Sequence, residues 1–429
     1  MTCRVCFYRT NVAALLSGTP VCAMGGADLR AWEFARRLAK SDDFHVTFVV
    51  GDFGQAAVDE LDGVAIRVWS EPWRRRVHAA YRQYRAARTQ LGNTPLHVSA
   101  FELSKSLPWL VADRLWRGVH NSQAEQNFAR LLSDNTPDVV VCFGATPDSA
   151  DLIATCRRAG IPTVLCITGD AQILGDLGTD NFDAPLDVGR SRRVLASLKS
   201  ATEIIAQSET QQSLMRSRCN RAVRLIRNPV LPVEGSLAIG DPAVLWVGRA
   251  ELVQKRPDRL WEVATRCPDI PFRVILNPDA PGVWERLKAE KPANIDLVAR
   301  VPPAEMGAYF RSARLLANTS ARLPDGASME GFPNAFLQAA SLGVPVVSWE
   351  VDPDGFLSRH GCGVECGGDA EKMAAEVRRL WHDDGERAAI GRRACDYVAS
   401  YHDPERCGQQ FADVLRLLTG EAASYVAKA

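Results

Sequence analysis

The stretch Glu330-Gly-Phe-Pro-Asn-Ala-Phe-Leu-Gln338, running on through Ala-Ala-Ser-Leu-Gly343-Val-Pro345-Val-Val, decides how this sequence folds. An acid comes first, then a turn-forming Gly-Phe-Pro-Asn, then an apolar helix. The helix stops at Gly343, and a β-branched strand begins after Pro345. A helix start offers unpaired backbone N–H groups and the positive end of the helix dipole, which suit an anion. Glu330 and Gln338 bracket that start. A carboxylate and an amide beside a bound phosphate are suited to gripping sugar hydroxyls, so the segment reads as a nucleotide-sugar site.

Working outward, apolar runs alternate with amphipathic helical patterns through most of the 429 residues. Predicted strands cover 4–8, 45–50, 64–68, 138–143, 163–167, 203–206, 243–247, 273–276, 295–298, 314–317 and 344–348. Helical patterns such as 27–40 and 148–159 lie between them. Such alternation implies α/β architecture, with parallel sheets covered by helices on both faces. These strands exceed one comfortable sheet, so two Rossmann-like domains are the natural partition. The Pro- and Gly-rich segment 228–240 marks the boundary. The expected domains are 1–232 for an acceptor, 233–402 for a nucleotide-sugar donor, and a final helix, 403–429, returning to the first. That helix starts at Asp403-Pro404, a cap followed by proline, and is expected to run to about Leu418.

Composition narrows the function. Hydrophobic residues make up 46% and charged residues 24%, as in ordinary globular protein, and the formal net charge is zero. A global attraction to nucleic acid is not expected. No apolar run approaches the roughly 20 residues that span a bilayer, and the first residues read as a strand, not a signal peptide. A cytoplasmic location is the default expectation. The twelve cysteines are scattered through apolar segments, a pattern of reduced, buried thiols. Cys3-x-x-Cys6 and Cys362-x-x-x-Cys366 lack a second ligand pair at zinc spacing and read as structural.

Three further motifs carry chemistry. Met24-Gly25-Gly26-Ala27-Asp28 lies between the first strand and a long helix, where glycines let a ligand approach the backbone. It also reads as a plain strand-to-helix turn. Val247-Gly248-Arg249 ends the first strand of the second domain and is followed by Lys255-Arg256-Pro257-Asp258. Arg249 and Lys255 there suit a diphosphate, one as a fork and one as a point charge. Doubly wound folds bind ligands at such strand ends. Residues 73–88 place six arginines among Trp73, Tyr81 and Tyr84. Contact with anionic lipid or an acidic acceptor and a solvated helix over the first sheet both stand open. Asp352-Pro-Asp354 mimics a paired-acid metal motif, but Pro353 and Gly355 favour a turn.

Taken in order, these motifs resemble the retaining GT-B glycosyltransferases of family 4, the large "group 1" family. Gly25-Gly26 is similar to its first-domain glycine loop. Gly248-Arg249 with Lys255-Arg256-Pro-Asp is similar to its phosphate-binding strand end. Glu330 to Asn334 with Gly343-Val-Pro-Val-Val is similar to its signature segment. Ser208-Glu209 and Arg227-Asn228-Pro-Val are similar to the run into its interdomain linker. The resemblance implies two Rossmann-like domains with an interdomain cleft. It implies transfer of a hexose-type sugar, with retention, from a nucleoside diphosphate sugar to a glycan or lipid-linked acceptor. It implies no metal and no cofactor.

In that family pattern Glu330 binds donor-sugar hydroxyls. Backbone N–H groups around Phe332-Pro333-Asn334 hold the sugar and phosphates. Arg249 and Lys255 stabilise the leaving diphosphate, Gln338 holds the ribose, and Asn277 and Arg300-Val301 face the base. Gln338 replaces the usual Glu, losing a charge-assisted bond worth about 1–2 kcal/mol. Arg249 and Lys255 are six apart instead of five. Leu276-Asn277-Pro278-Asp279 stands where a Gly-rich turn is common, and Thr168-Gly169-Asp170 stands where many members have a histidine. Asp170 is the candidate sugar contact in its place. A binding protein without turnover, hinted at by Gln338, and a nicotinamide-dependent dehydrogenase, with Asp52 as its acidic partner, are the rival readings.

Overall fold

The computed structural model describes residues 2–15, 25–53, 55–69, 117–173, 188–231, 233, 239–278, 282–322, 328 and 330–426. The basic aromatic segment 73–88 lies outside the described residues, as does the amphipathic run 109–116. The chain divides into two compact units. The first takes the described residues up to Pro229 and again from Glu405, and the second takes Val230–Pro404.

The first unit is built on an eight-stranded sheet. In chain order its strands are β1 (Cys3–Tyr8), β2 (Phe44–Gly51), β3 (Glu60–Leu61), β4 (Val64–Trp69), β5 (Val139–Phe143), β6 (Thr163–Cys166), β7 (Glu203–Ala206) and β8 (Arg224–Leu225). Their spatial order is β3-β4-β2-β1-β5-β6-β7-β8. All pairings are parallel except β3 with β4. β1 shows why the sheet is covered on both faces. Val5 and Phe7 enter one core with the helix Gly26–Leu38, while Cys6 and Tyr8 enter another with Phe128 and Leu152. β5 repeats this with Val141 and Cys142. A strand buried on both sides reads as a continuous apolar run, which is why these strands were legible in sequence.

The second unit carries a six-stranded, fully parallel sheet. Its strands are β9 (Ala243–Arg249), β10 (Phe272–Asn277), β11 (Ile295–Val298), β12 (Ala313–Asn318), β13 (Val346–Ser348) and β14 (Gly363–Glu365). Their order is β11-β10-β9-β12-β13-β14. The chain steps outward from β9 to β11, then returns to the other side of β9 to lay down β12. The winding therefore reverses between β9 and β12, and ligands in such sheets bind at the carboxyl ends of the strands at that reversal. In the first unit the corresponding reversal lies between β1 and β5.

Sequence reasoning missed β3, β8 and β14. They are two or three residues long, too short to show a period. The final helix was expected to end near Leu418 but runs Pro404–Val426, passing through Gly420. It packs in the first unit's core, where Phe411 stacks on Phe34 with ring centroids 4.4 Å apart and on Phe7 at 6.1 Å. Among the described residues eleven cysteines are free. Burial pushes the Cys6, Cys362 and Cys366 thiols up to about 12, so they remain protonated and unreactive.

Phe411 is fully buried between two rings. Phe411→Ala is expected to cost about 3–5 kcal/mol. Denaturant titration should show the midpoint falling. An unchanged midpoint would mean that the last helix is not integral to this core.

Candidate functional site

The site in the second unit begins at the end of β9. Gly248 precedes Arg249, and its lack of a side chain has a packing cause. A Cβ there would fall 2.4 Å from the Trp246 ring. Trp246 is fully buried, and its indole N–H donates to Thr319 Oγ1 at 2.9 Å. The glycine predicted for phosphate approach thus first makes room for a tryptophan that ties β9 to the end of β12.

After Arg249 the chain makes a compact turn around Glu251, whose carboxylate is completely buried. Glu251 accepts backbone N–H bonds from Val253 at 3.0 Å, from Gln254 at 2.9 Å and from Lys255. The turn is also held from outside. Gln254 C=O accepts from Ala321 N–H at 2.7 Å, and Lys255 C=O accepts from Thr319 Oγ1 at 2.9 Å. Gln254 Oε1 accepts from Arg249 at 3.3 Å. Arg256 takes a left-handed conformation, φ +49°, and Pro257 opens the helix Pro257–Arg266.

This turn carries Lys255 to Glu330. Lys255 Nζ and Glu330 Oε1 form an ion pair, and Ser320 Oγ donates to the same oxygen at 3.0 Å. The two side chains are 19% and 11% exposed. Burial by itself pushes the Glu330 carboxyl up. The Lys255 charge and hydrogen bond, the Ser320 hydroxyl and the more distant Arg249 charge outweigh that and hold it below the usual carboxylate range. Arg249, Lys255 and Glu330 are therefore brought together near the carboxyl ends of β9 and β12.

The helix Asn334–Ser341 follows directly, capped by extended Pro333. Phe332 is buried against Phe356, Tyr397 and His402, so its ring anchors the loop and only its backbone faces the helix start. Gln338 is half-buried on that helix, and its side chain makes no hydrogen bond among the described residues. Gly343, φ +69°, ends the turn after the helix in a backbone region that other residues rarely adopt. Asn277 ends β10 in register with Arg249, and its C=O accepts from Ala250 N–H at 2.7 Å. Arg300 and Val301 follow β11, with Arg300 at φ +47°. Asp352 to Gly355 is a turn: Asp352 accepts N–H bonds from Leu357 and Ser358. No group of three metal-ligating side chains occurs among the described residues.

Gly25, Gly26 and Asp170 belong to the first unit. Gly25 caps the helix Gly26–Leu38 in an extended conformation, so its φ does not demand glycine. Its N–H donates to Asp28 Oδ2 at 2.7 Å, and buried Asp28 pairs with Arg9. One donor expected for a phosphate is thus already taken by a carboxylate of the chain itself. Asp170 is buried at the start of a short turn and accepts from Gln211 Nε2 at 3.0 Å.

Sequence reasoning missed Glu251, Thr319 and Ser320. The signals were the unusual six-residue Arg–Lys spacing, and the abrupt polar run Asn318-Thr-Ser after the apolar strand β12. Neither indicates contact without knowing that β12 lies beside β9.

A family model described as glycosyl transferases group 1 matches residues 241–383, which span the second unit's sheet and this site. No curated protein matches the sequence significantly. Among solved structures the chain is similar to sucrose-phosphate synthase from Thermosynechococcus elongatus, at 13% identity and TM-score 0.67, covering 98% of this chain and all of that one. It is similar to α,α-trehalose-phosphate synthase (UDP-forming) from Burkholderia vietnamiensis, at 11% identity and TM-score 0.63, covering 97% and 100%. It is also similar to an E. coli structure described as trehalose-6-phosphate bound with UDP-2-fluoro glucose, at 10% identity and TM-score 0.62, covering 96% and 99%. The fold is GT-B, with two Rossmann-like domains, and the family model matches the group 1 resemblance for the motifs that lie within residues 241–383.

A carboxyl whose pKa is lower folded than unfolded contributes stability above the ordinary carboxylate range, and that contribution is lost as pH falls through the folded value. Glu330 is such a group. Lys255→Met leaves it buried without its main countercharge, so its pKa should rise. Between about pH 4 and pH 7, the variant should lose stability relative to wild type as pH increases. Melting temperatures of the two proteins across that range check this. Parallel curves would mean that Lys255 does not govern Glu330.

Proposed function

With a group 1 glycosyltransferase segment set in a GT-B fold, we propose that the protein is a retaining glycosyltransferase. It moves a hexose-type sugar from a nucleoside diphosphate donor to a glycan or lipid-linked acceptor. The observation that supports this most is the convergence of Arg249, Lys255 and Glu330 at the winding reversal of the second unit's sheet, directly before a helix N-terminus.

Each group has a part in this reaction. Arg249 and Lys255 neutralise charge that develops on the diphosphate as the glycosidic bond breaks. Cations fixed in place beforehand stabilise that charge without reorganising during the reaction. Glu330, kept ionised by its neighbours, accepts hydrogen bonds from donor-sugar hydroxyls. The N–H groups at the start of Asn334–Ser341 add donors for sugar or phosphate oxygens. Gln338 offers its unengaged amide to the ribose, and the Asn277 and Arg300-Val301 loops flank the base. The departing phosphate takes the proton of the acceptor hydroxyl, which delivers the new bond to the face the leaving group vacates. Lysine and arginine perform the neutralisation, so no metal is required in this scheme. Asp170 is assigned to a sugar contact, and Gly25 and Gly26 to donor binding.

Arg249→Ala and Lys255→Ala should each lower turnover about 100-fold, the effect of removing one transition-state donor. A panel of nucleoside diphosphate sugars supplies the donor, circular dichroism checks the fold, and NMR of the product reads the anomeric configuration. Normal turnover in both folded variants, or an inverted product, overturns the scheme.

The arginines of 73–88 support peripheral attachment on the cytoplasmic face, since a basic residue near an anionic surface contributes about 1 kcal/mol. No helix among the described residues is long and apolar enough to cross a membrane. Flotation with phosphatidylserine vesicles at low salt should capture the protein. Changing Arg74, Arg75 and Arg76 to Glu should release it. Wild-type protein that stays behind in the gradient removes the membrane from this reading.

A further inference from the structure

We infer that Glu251 is the positioning residue of the cationic site: its buried carboxylate folds residues 251–255 into the turn that aims Lys255 at Glu330 and holds Gln254 against Arg249. The inference rests on the transferase reading for its catalytic consequence, though not for its geometry.

Three observations carry it. Glu251 is fully buried, yet it forms no salt bridge among the described residues. The Arg256 charge acts on Glu251 without forming a salt bridge, and a carboxylate taken from water is costly unless hydrogen bonds replace its hydration. Here backbone donors do so, through three consecutive N–H groups at Val253, Gln254 and Lys255. No other residue type supplies two acceptor oxygens at that reach. Aspartate is one methylene shorter, and glutamine turns one acceptor into a donor facing those N–H groups.

The residues fixed by those bonds also hold the site. Lys255 is both the last N–H donor to Glu251 and the cation paired with Glu330. Gln254 donates its N–H to Glu251 and accepts from Arg249 through its side chain. One carboxylate therefore sets the backbone of Lys255 and that of Gln254, whose side chain accepts from Arg249. It also accounts for the six-residue Arg249–Lys255 spacing, since the turn wraps around a side chain of its own instead of running straight between the two cations.

The role differs from that of a structural buried acid in one respect: it acts through Lys255. Glu251→Gln is the main variant and Glu251→Asp the second, used for both readouts if the first does not fold. The first readout needs no substrate. With carboxyl-¹³C glutamate, the Glu330 resonance is assigned by Glu330→Gln and titrated. Its pKa should rise clearly in the Glu251 variant as Lys255 drifts from it. An unchanged Glu330 titration in a folded variant overturns the inference, whatever the enzyme does.

The second readout is donor hydrolysis with UDP-glucose, or with the donor found active in the panel. Glu251→Gln should lower kcat about tenfold or more with little change in KM, and should change kcat less than about twofold in a Lys255→Ala background. Equal losses in both backgrounds would show that Glu251 supports the fold and not Lys255, which also overturns it. If no donor is turned over by wild type, the transferase reading fails, while the Glu330 titration still decides the role of Glu251.

Discussion

The ion pair between Lys255 and Glu330 is the interaction on which the second unit's site depends. A carboxylate that is 11% exposed pays heavily for lost water, and a nearby ammonium and hydroxyl must offset that. Much around the pair serves that balance. The turn over Glu251 delivers Lys255, Thr319 holds the Lys255 carbonyl, and Trp246 holds Thr319. Gly248 is small because Trp246 is there. A chain of packing constraints thus runs from a tryptophan in the core to a largely buried ion pair.

The placement of that chain follows from winding. β9 and β12 are adjacent although some sixty residues separate them, because the sheet reverses direction between them. The reversal leaves the carboxyl ends of both strands uncovered by a crossover helix. Polar residues there, Arg249 on one strand and Asn318 to Ser320 after the other, are free to meet. The first unit has its own reversal between β1 and β5, but there Arg9, Asp28 and Gly25 satisfy one another. The two units share a winding reversal and differ in which strand-end groups pair there.

Glu251 and Glu330 show two ways of satisfying a buried carboxyl group. Glu330 is compensated by charge, and its partners can exchange toward a ligand that brings phosphates and hydroxyls. Glu251 is compensated by backbone donors, which are tied to the path of the chain. The first arrangement suits a group that handles substrate, the second a group that fixes geometry.

The sequence by itself determined the architecture, and it singled out Arg249, Lys255 and Glu330, which the fold places near one another. Strands such as β1, β5 and β9 are buried on both faces, so their apolar runs stand out whatever their neighbours. The Glu330 segment was legible because turn, helix and stop signals act over a few residues, and Arg249 because it ends such a strand. Only the tertiary structure decided the rest. β3, β8 and β14 exist through pairing with a neighbour and have too few residues to show a period. The last helix packs Phe411 and Leu415 in the core and runs past Gly420 to Val426. Thr319 reaches Lys255 and Trp246 across 64 and 73 residues of chain, and the local contacts of Glu251 and Ser320 matter through the Lys255–Glu330 pair, which spans 75; no local pattern encodes such contacts. Propensity and periodicity act along the chain; the cost of burying a charge is decided by what the fold brings beside it.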